Sequence, residues 1–209
     1  MTIEGKEVLL TRPSFATPPR IVGRREKRKL DVAQARTLIG WNGKAAIHGF
    51  QHEHCFQARA DFFAFMDFFY DRRGRWSRFW VPSWHAELSP TATVANGATS
   101  LSISPVNYAT VFPITPSDLF ALGNYVWLLS NGGDFHVSKV TSVAGTSPEV
   151  LTLATATSVQ FTLGQFIAGF LYSVRFAQDD LRMDFFGANN AETQTAFVEV
   201  LTSSSDADA

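Results

Sequence analysis

The most constraining feature of this sequence is a run of aromatic residues between Phe62 and Trp84. Ten of the twenty-eight aromatic side chains of the chain fall in these twenty-three positions, within the string ADFFAFMDFFYDRRGRWSRFWVPSW. A helix-like pattern ends at Arg72-Arg73-Gly74, and a strand-like pattern then stops at Pro82. This density exceeds what one small core needs, so it indicates an assembly module and not an active site.

The first part of this run predicts one α-helix at about residues 60–73. Asp61 lies near its start and two arginines lie near its end, and these charges interact favourably with the helix dipole. Gly74 then ends the helix. An inward stripe recurs at spacings of three and four residues, whereas other rings fall off it or toward its edge. The stripe is Phe62, Phe65, Met66 and Phe69, and the outlying rings are Phe63, Phe68 and Tyr70. A helix that is apolar around more than half its girth indicates a contact surface.

The remainder of the chain reads as short strands. Trp76 to Pro82 alternates weakly, and Ser/Thr/Ala/Val-rich runs after Thr91 are separated by turn residues such as Asn131-Gly132-Gly133-Asp134. We therefore predict a mainly β fold, a β-sandwich or split barrel with one α-helix and an inserted small β domain. The predicted division is an extended N-terminal arm (1–27), a core (28–88 plus 170–201), an inserted small β-barrel-like domain (89–169) and a disordered tail (202–209).

Composition removes several classes of protein from consideration. The single cysteine excludes an intrachain disulfide framework, and the N-terminus lacks the pattern of a signal peptide, so we expect synthesis in the cytosol. Apolar stretches are interrupted well before eighteen residues, so we expect no membrane insertion. A net charge of −1 argues against a dedicated nucleic-acid binder.

Three groups of residues invite a chemical interpretation, and a structural role is favoured for each. His48, His52 and His54 share a face if they lie on a strand, but His48 would be more than about a dozen ångströms from the other two along it. Cys55 needs a base on its own face to act as a nucleophile, so we expect it to fill a gap in the core. Asp179-Asp180 fits a hairpin turn better than a glycosidase pair. We therefore predict no catalytic, cofactor-binding or metal-binding residues, no cofactor and no enzyme activity.

Basic and aromatic residues together define a predicted protein interface. The basic cluster at 24–29 could contact nucleic acid, but a salt-sensitive contact with an acidic neighbouring subunit is favoured. Arginine and tryptophan usually carry the binding energy of protein interfaces, and the rings can also accept cation–π contacts. The predicted interface residues are Arg24, Arg25, Lys27, Arg28, Lys29, Phe63, Phe68, Phe69, Tyr70, Arg73, Arg75, Trp76, Arg78, Trp80 and Trp84.

The string from Ala60 to Trp84 resembles minor tail proteins of long-tailed bacteriophages. In that family a Phe-rich helix leads to an R-G-R turn and then to an aromatic strand ending F-W-x-P-x-W, which is matched here by D-R-R-G-R-W-S-R-F-W-V-P-S-W. The β-rich block from ATSLSIS to EVLTLATA and the closing strand at Tyr172-Ser-Val-Arg-Phe are also similar. The likeness is one of architecture over about residues 28–201, and the long basic N-terminal arm departs from it.

The resemblance implies a structural virion protein of the tail tip. Such a distal tail protein would form a ring or collar, six-fold or three-fold, that joins the tail tube to the hub, fibres or spike. Its partners would be itself and other phage tail proteins, and it would be assembled in the host cytoplasm. Two alternatives stay open: a carbohydrate-binding (receptor-binding) module that stacks sugars on Trp84, Tyr125 and Trp127, and a cell-wall-degrading enzyme, which is disfavoured because no acid–base pair is evident.

Overall fold

The structure is a computed structural model that describes residues 1–14, 20–24, 27–32, 36–41, 47–112, 114 and 123–200. These residues form a mainly β protein, as the sequence predicts. The elements are β1 (Thr2–Ile3), β2 (Lys6–Glu7), β3 (Arg20–Arg24), β4 (Lys27–Val32), β5 (Arg36–Trp41), β6 (Ile47–Phe56), α1 (Arg59–Asp71), β7 (Phe79–Pro82), β8 (Ser100–Ile103), α2 (Tyr108–Val111), β9 (Tyr125–Ser130), β10 (Phe135–Ala144), β11 (Glu149–Leu153), β12 (Phe166–Phe176), β13 (Asp184–Phe185) and β14 (Ala191–Glu199).

The described chain divides into two compact units. Unit 1 comprises Met1–Arg12 and Ser77–Val174, and unit 2 comprises Pro13–Trp76 and Arg175–Val200. The sequence prediction placed the corresponding boundaries after residues 27, 88 and 169. The difference around residue 77 has a direct cause, because β7 pairs with Leu171–Val174 of β12 and so joins the later strands. The predicted tail at 202–209 lies outside the described residues.

Unit 1 is an antiparallel sheet in the order β7-β12-β9-β10-β11-β8. The predicted turn at 131–134 is confirmed, since the backbone N–H of Ser130 donates to the carbonyl of Asp134 at 2.9 Å. A buried cluster fills this unit between the sheet and the N-terminal residues. Its members are Val8, Trp80, Trp84, Tyr125, Trp127, Leu129, Val137 and Leu171.

The first twelve residues belong to unit 1 and do not extend away from the chain. Glu4 and Gly5, both with positive φ, form a two-residue turn between β1 and β2, as such hairpins require. Val8 then forms a parallel bridge with Trp80, and Leu9 donates its N–H to the Trp80 carbonyl at 2.8 Å. This part of the predicted arm is therefore docked, because Val8 and Leu9, which follow the hairpin, are buried within their own chain.

Unit 2 is an antiparallel sheet in the order β3-β6-β14, with α1 packed on one face. Side chains along β6 and β14 alternate between two faces, as they must in a pleated strand. The inner face carries His52, His54 and Phe56 from β6 and Phe197 from β14. Phe65 of α1 lies 4.9 Å from the ring of His54, measured between ring centroids. The helix thus closes the core of this unit.

Candidate protein-interaction surface

The predicted inward stripe of α1 is confirmed. Phe62, Phe65 and Phe69 are buried, and Met66 is half-buried. The ring of Phe69 lies 4.7 Å from that of Phe176, within unit 2. Burial of each such ring is worth roughly 1.5–3 kcal/mol. Hydrophobic packing therefore orients the helix and decides which rings remain outside.

The outward side of α1 exposes two of the predicted interface rings. Phe63 is 42% exposed and Tyr70 is 60% exposed. They are seven residues apart, which places them on the same side of a helix about two turns from each other. The guanidinium carbon of Arg59 lies 5.3 Å from the centroid of Phe63, within cation–π range. Phe68 is half-buried, with Arg72 5.5 Å from its ring.

The helix ends in a tight turn that only glycine can complete. Arg73 and Gly74 both have positive φ, 51° and 60°, and Arg73 is exposed. A Cβ atom on Gly74 would lie 2.9 Å from the Cα of Asp179, a distance that real Cβ atoms do not show. The turn therefore lies directly against the loop that follows β12.

Arg75 and Asp179 fix this turn by a two-point contact. The Arg75 backbone N–H donates to Oδ1 of Asp179 at 3.1 Å, and its Nε donates to Oδ2 at 2.8 Å. These contacts lower the pKa of Asp179, with the side-chain hydrogen bond from Arg75 as the main cause. Asp179 is thereby committed to an ion pair and is not positioned as half of a glycosidase pair.

Trp76 follows this turn and is 73% exposed. The sequence predicted that it would begin a strand, but β7 begins at Phe79, so Trp76 lies in the preceding turn. Exposure of an indole ring to water is unfavourable in free energy. Trp76 directly follows the turn that the Arg75–Asp179 contact fixes. Trp76 is therefore the most accessible aromatic anchor of the predicted set.

Four predicted interface residues are buried instead, which corrects the prediction for Phe69, Arg78, Trp80 and Trp84. Trp80 donates its indole N–H to the carbonyl of Ile3 at 3.1 Å, and its ring lies 4.3 Å from Tyr125. Trp84 packs 5.8 Å from Trp127. These side chains form the interior of their own chain and cannot anchor a partner.

The predicted sugar-stacking residues are buried as well. Trp127 and Tyr125 have no exposed surface, and Trp84 is nearly as enclosed. Trp127 donates its indole N–H to the carbonyl of Phe170 at 3.0 Å. No sugar ring can stack on these three residues, because the core of unit 1 covers them.

The basic cluster occupies two strands. Arg24 ends β3, and Lys27, Arg28 and Lys29 lie in β4, whereas Arg25 lies outside the described residues. Participation of this cluster in an interface stays a prediction.

Two exposed rings were missed by the sequence reasoning. Phe185 is 58% exposed and Phe186 is 69% exposed, at the end of β13. The ring of Phe185 lies 5.4 Å from Phe62 of α1, so this hairpin adjoins the helix. The sequence feature that could have indicated these two exposed rings is an adjacent Phe pair directly before the turn residues at 187–190.

We call the exposed rings of unit 2 the aromatic surface, which consists of Phe63, Tyr70, Trp76, Phe185 and Phe186.

The histidines and the cysteine occupy opposite faces of β6. His52 and His54 share the inner face, as predicted, where the ring of His52 lies 5.1 Å from Phe197. Cys55 is exposed on the outer face, which corrects the expectation that it fills the core. Its neighbours there are Glu53 and Glu192, and one potential ligand atom from each of the three residues lies within 4.8 Å of the others. These are the side chains that could hold a cation among the described residues.

No protein-family model matches the sequence, and no curated protein is significantly similar to it. Within the described residues, no helix has the length and apolar character needed to cross a bilayer.

Proposed function

We propose that this protein is a structural component of a bacteriophage tail tip, which forms a ring or collar between the tail tube and the hub, fibres or spike. The observation that carries the proposal is the exposure of Trp76 within the same string, Ala60 to Trp84, that resembles minor tail proteins. The string contains a turn, fixed by the Arg75–Asp179 contact, that holds this ring outside the core.

The composition of the aromatic surface supports a role in assembly. Large rings usually carry the binding energy of protein interfaces, whereas scattered polar contacts around them contribute less. Tyr70 and Trp76 each leave well over half of their surface in water. Burial of these rings by a neighbouring subunit would recover the free energy that their exposure costs.

A ring is consistent with one such surface per subunit. Closed rings repeat a heterologous contact, in which one patch meets a different patch on the next copy, and rotation brings the series back to its start. Six-fold and three-fold rings both satisfy this condition. In this proposal the protein acts through binding alone, with itself and other tail proteins as partners, and it is assembled in the host cytoplasm and resides in the virion.

The direct test is to examine the purified full-length chain for rings by electron microscopy and by light scattering after size exclusion. We expect Trp76→Ala to weaken ring formation about tenfold or more, as truncation of an aromatic anchor does. Leu163→Ala is the matched control, since Leu163 is also an exposed apolar side chain but belongs to unit 1. The control should assemble normally.

A monodisperse monomer at high concentration that binds no tail protein would overturn the proposal. The position of the gene gives independent information. We expect a tape-measure gene upstream and hub or fibre genes downstream.

A further inference from the structure

We propose that an open cleft on unit 2 binds a neutral saccharide. The cleft has a volume of about 390 Å³ and lies on the outward face of β6 and β14, away from the side chains that α1 buries. We call it the polar cleft. Its lining consists of three amides, two carboxylates and one guanidinium, from Gln51, Gln178, Gln194, Asp180, Asp184 and Arg182, together with residues 195–196.

Two neighbouring strands supply the floor of the polar cleft. Gln51 of β6 lies opposite Ala196 of β14, and Gln194 lies two residues before Ala196 on the same strand. Residues at even separations point to one face of a strand, so both amides belong to the outward face. Diagonal neighbours of this kind are about 7–8 Å apart. One ligand that lies across the two strands can therefore contact both amides.

The loop at residues 177–184 forms the wall of the polar cleft and is attached to the rest of unit 2 at four points. The attachments are the Ala177 N–H to the Ala196 carbonyl at 2.8 Å, the Arg75 Nε to the Asp179 carboxylate at 2.8 Å, the Thr193 hydroxyl to the Arg182 carbonyl at 2.6 Å, and the pairing of Asp184 with Glu192. These contacts hold Gln178 and Asp180 in place before a ligand arrives. A wall that is already ordered lowers the entropic cost of binding.

The charges in and beside the polar cleft nearly offset each other. Asp180 and Asp184 are negative, whereas Arg182 is positive and its guanidinium lies 3.3 Å from Oδ1 of Asp184. Beside the lining, the strand register places Arg20 of β3 and Glu53 of β6 on the same outward face. A ligand held by charge alone, such as phosphate or a metal ion, would meet an opposing charge in the same cleft. The charge distribution therefore favours a neutral ligand.

The hydrogen-bonding groups of the polar cleft match those of a sugar. Each glutamine amide offers two N–H donors and one carbonyl acceptor, whereas the carboxylates accept and the guanidinium donates. A sugar hydroxyl both donates and accepts, so it can pair with every one of these groups. An apolar ligand would leave them without partners, which costs free energy. A polyhydroxylated ligand, as a free sugar or as part of a glycan chain, is the class that fits.

The open shape of the polar cleft predicts weak binding by a single chain. Its six polar side chains are exposed, so each exchanges a hydrogen bond with water for one with the ligand and gains little in net free energy. We expect a Kd of about 1 mM. In a ring, several such clefts would bind a multivalent glycan surface about 10²–10⁴ times more tightly. Only this gain rests on the proposed function.

The test is saturation-transfer NMR on the full-length chain with glucose, galactose, mannose, N-acetylglucosamine, lactose and chitobiose as probes. We expect at least one of them to bind with a Kd of about 1 mM. Tighter binding of a disaccharide than of its monosaccharides would identify a glycan chain as the source, whereas equal binding would identify a free sugar. Either result supports the inference.

Substitutions in the floor of the polar cleft locate the binding. Gln51→Ala and Gln194→Ala should each weaken it by about three- to tenfold, because each removes one set of hydrogen bonds. Both positions are exposed, so the fold should be unchanged, which circular dichroism checks. Gln57→Ala is the matched control, since Gln57 is an exposed glutamine of the same unit that does not line the cleft. It should bind like the unaltered protein.

Three results would overturn the inference. They are the absence of binding by every probe at about 20 mM, binding that neither glutamine substitution in the cleft weakens, and a preference for N-acetylneuraminic acid over all the neutral sugars, which would indicate an anion site. Ring formation is scored separately by electron microscopy. A protein that forms rings without binding sugar keeps the tail-tip proposal alone, and a monomer that binds sugar keeps only the polar cleft.

Discussion

The guanidinium of Arg75 lies 2.6 Å from the carboxylate of Asp179, although 104 residues of chain separate them. The contact joins the turn after α1 to the loop after β12, both within unit 2. Both side chains are more than half exposed, so their ion pair contributes little to global stability. Its effect is local, because it fixes the residue directly before Trp76.

We expect Asp179→Asn to leave the fold intact and to weaken self-association in the same direction as Trp76→Ala. The reason is that the turn loses its charged partner while the indole itself is unchanged. Because folding depresses the pKa of Asp179, its contribution to stability is present above about pH 3.8 and is lost as pH falls through the lower folded value. Acid titration of unfolding should show this loss, which we expect to be small, in the unaltered protein and not in the variant. Asp180→Asn, at the neighbouring position, should retain both properties, and equal effects of the two substitutions would contradict this role.

Phe69→Ala and Tyr70→Ala form a matched pair on adjacent helical positions. Phe69 is buried against Phe176, so its truncation should lower the free energy of unfolding by about 3–5 kcal/mol. Tyr70 is largely exposed, and its truncation should change that free energy by less than about 0.5 kcal/mol while it weakens association. Urea denaturation and light scattering measure the two effects. Equal destabilisation by both substitutions would show that α1 is not oriented as described.

Glu87 should make unit 1 less stable as pH rises. Burial is the main cause that raises its pKa, and its Oε1 is buried with no hydrogen-bond donor within the described structure. The folded protein therefore binds this proton more tightly than the unfolded chain. Stability conferred by the protonated form is fully present below about pH 4.5 and is lost through the raised folded pKa. Glu87→Gln should flatten this dependence in urea denaturation between pH 4 and pH 8, whereas Asp67→Asn, at an exposed position, should not.

Gly169 should tolerate no side chain. A Cβ atom there would lie 2.3 Å from both Oε2 of Glu87 and the carbonyl oxygen of His85, and 3.0 Å from the ring of Trp127. We expect Gly169→Ala to cost about 1–3 kcal/mol, because neighbouring groups must move. Gly132→Ala is the control, since the nearest atoms to its Cβ are 3.5 Å away. Thermal unfolding measures both, and a neutral Gly169→Ala would mean that this part of unit 1 adjusts freely.

The helix and its outward rings could be predicted from the sequence because a period of 3.6 residues is a local property. The exposure of Trp76 and the burial of Trp80 could not be predicted in this way. Weak alternation from Trp76 to Pro82 predicted one strand that contains both, but the strand starts only at Phe79, and all four of its residues are buried. Contacts of β7 with β12 and with Val8 enclose it, and these partners are distant in sequence. Alternation of polar and apolar residues predicts which side chains are exposed only for strands that have one face in water, and β7 has none.

Cys55 illustrates the opposite case, in which a local rule was sufficient. Its neighbours His54 and Phe56 point inward, so strand alternation already requires Cys55 to point outward. The general tendency of cysteine to be buried gave the wrong expectation. The position of Asp184 opposite Glu192 could not have been predicted in the same way, because it depends on pairing between β13 and β14.

The docking of Val8 on Trp80 and Leu171 has a consequence for synthesis on the ribosome. Val8 acquires its complete surroundings only after residue 171 has left the exit tunnel. At roughly 5–20 residues per second, this leaves Val8 without those neighbours for about 8–30 seconds. This segment of the nascent chain thus stays uncovered while the strands that enclose it are still being made, and it is accessible during that time to chaperones that bind emerging polypeptides.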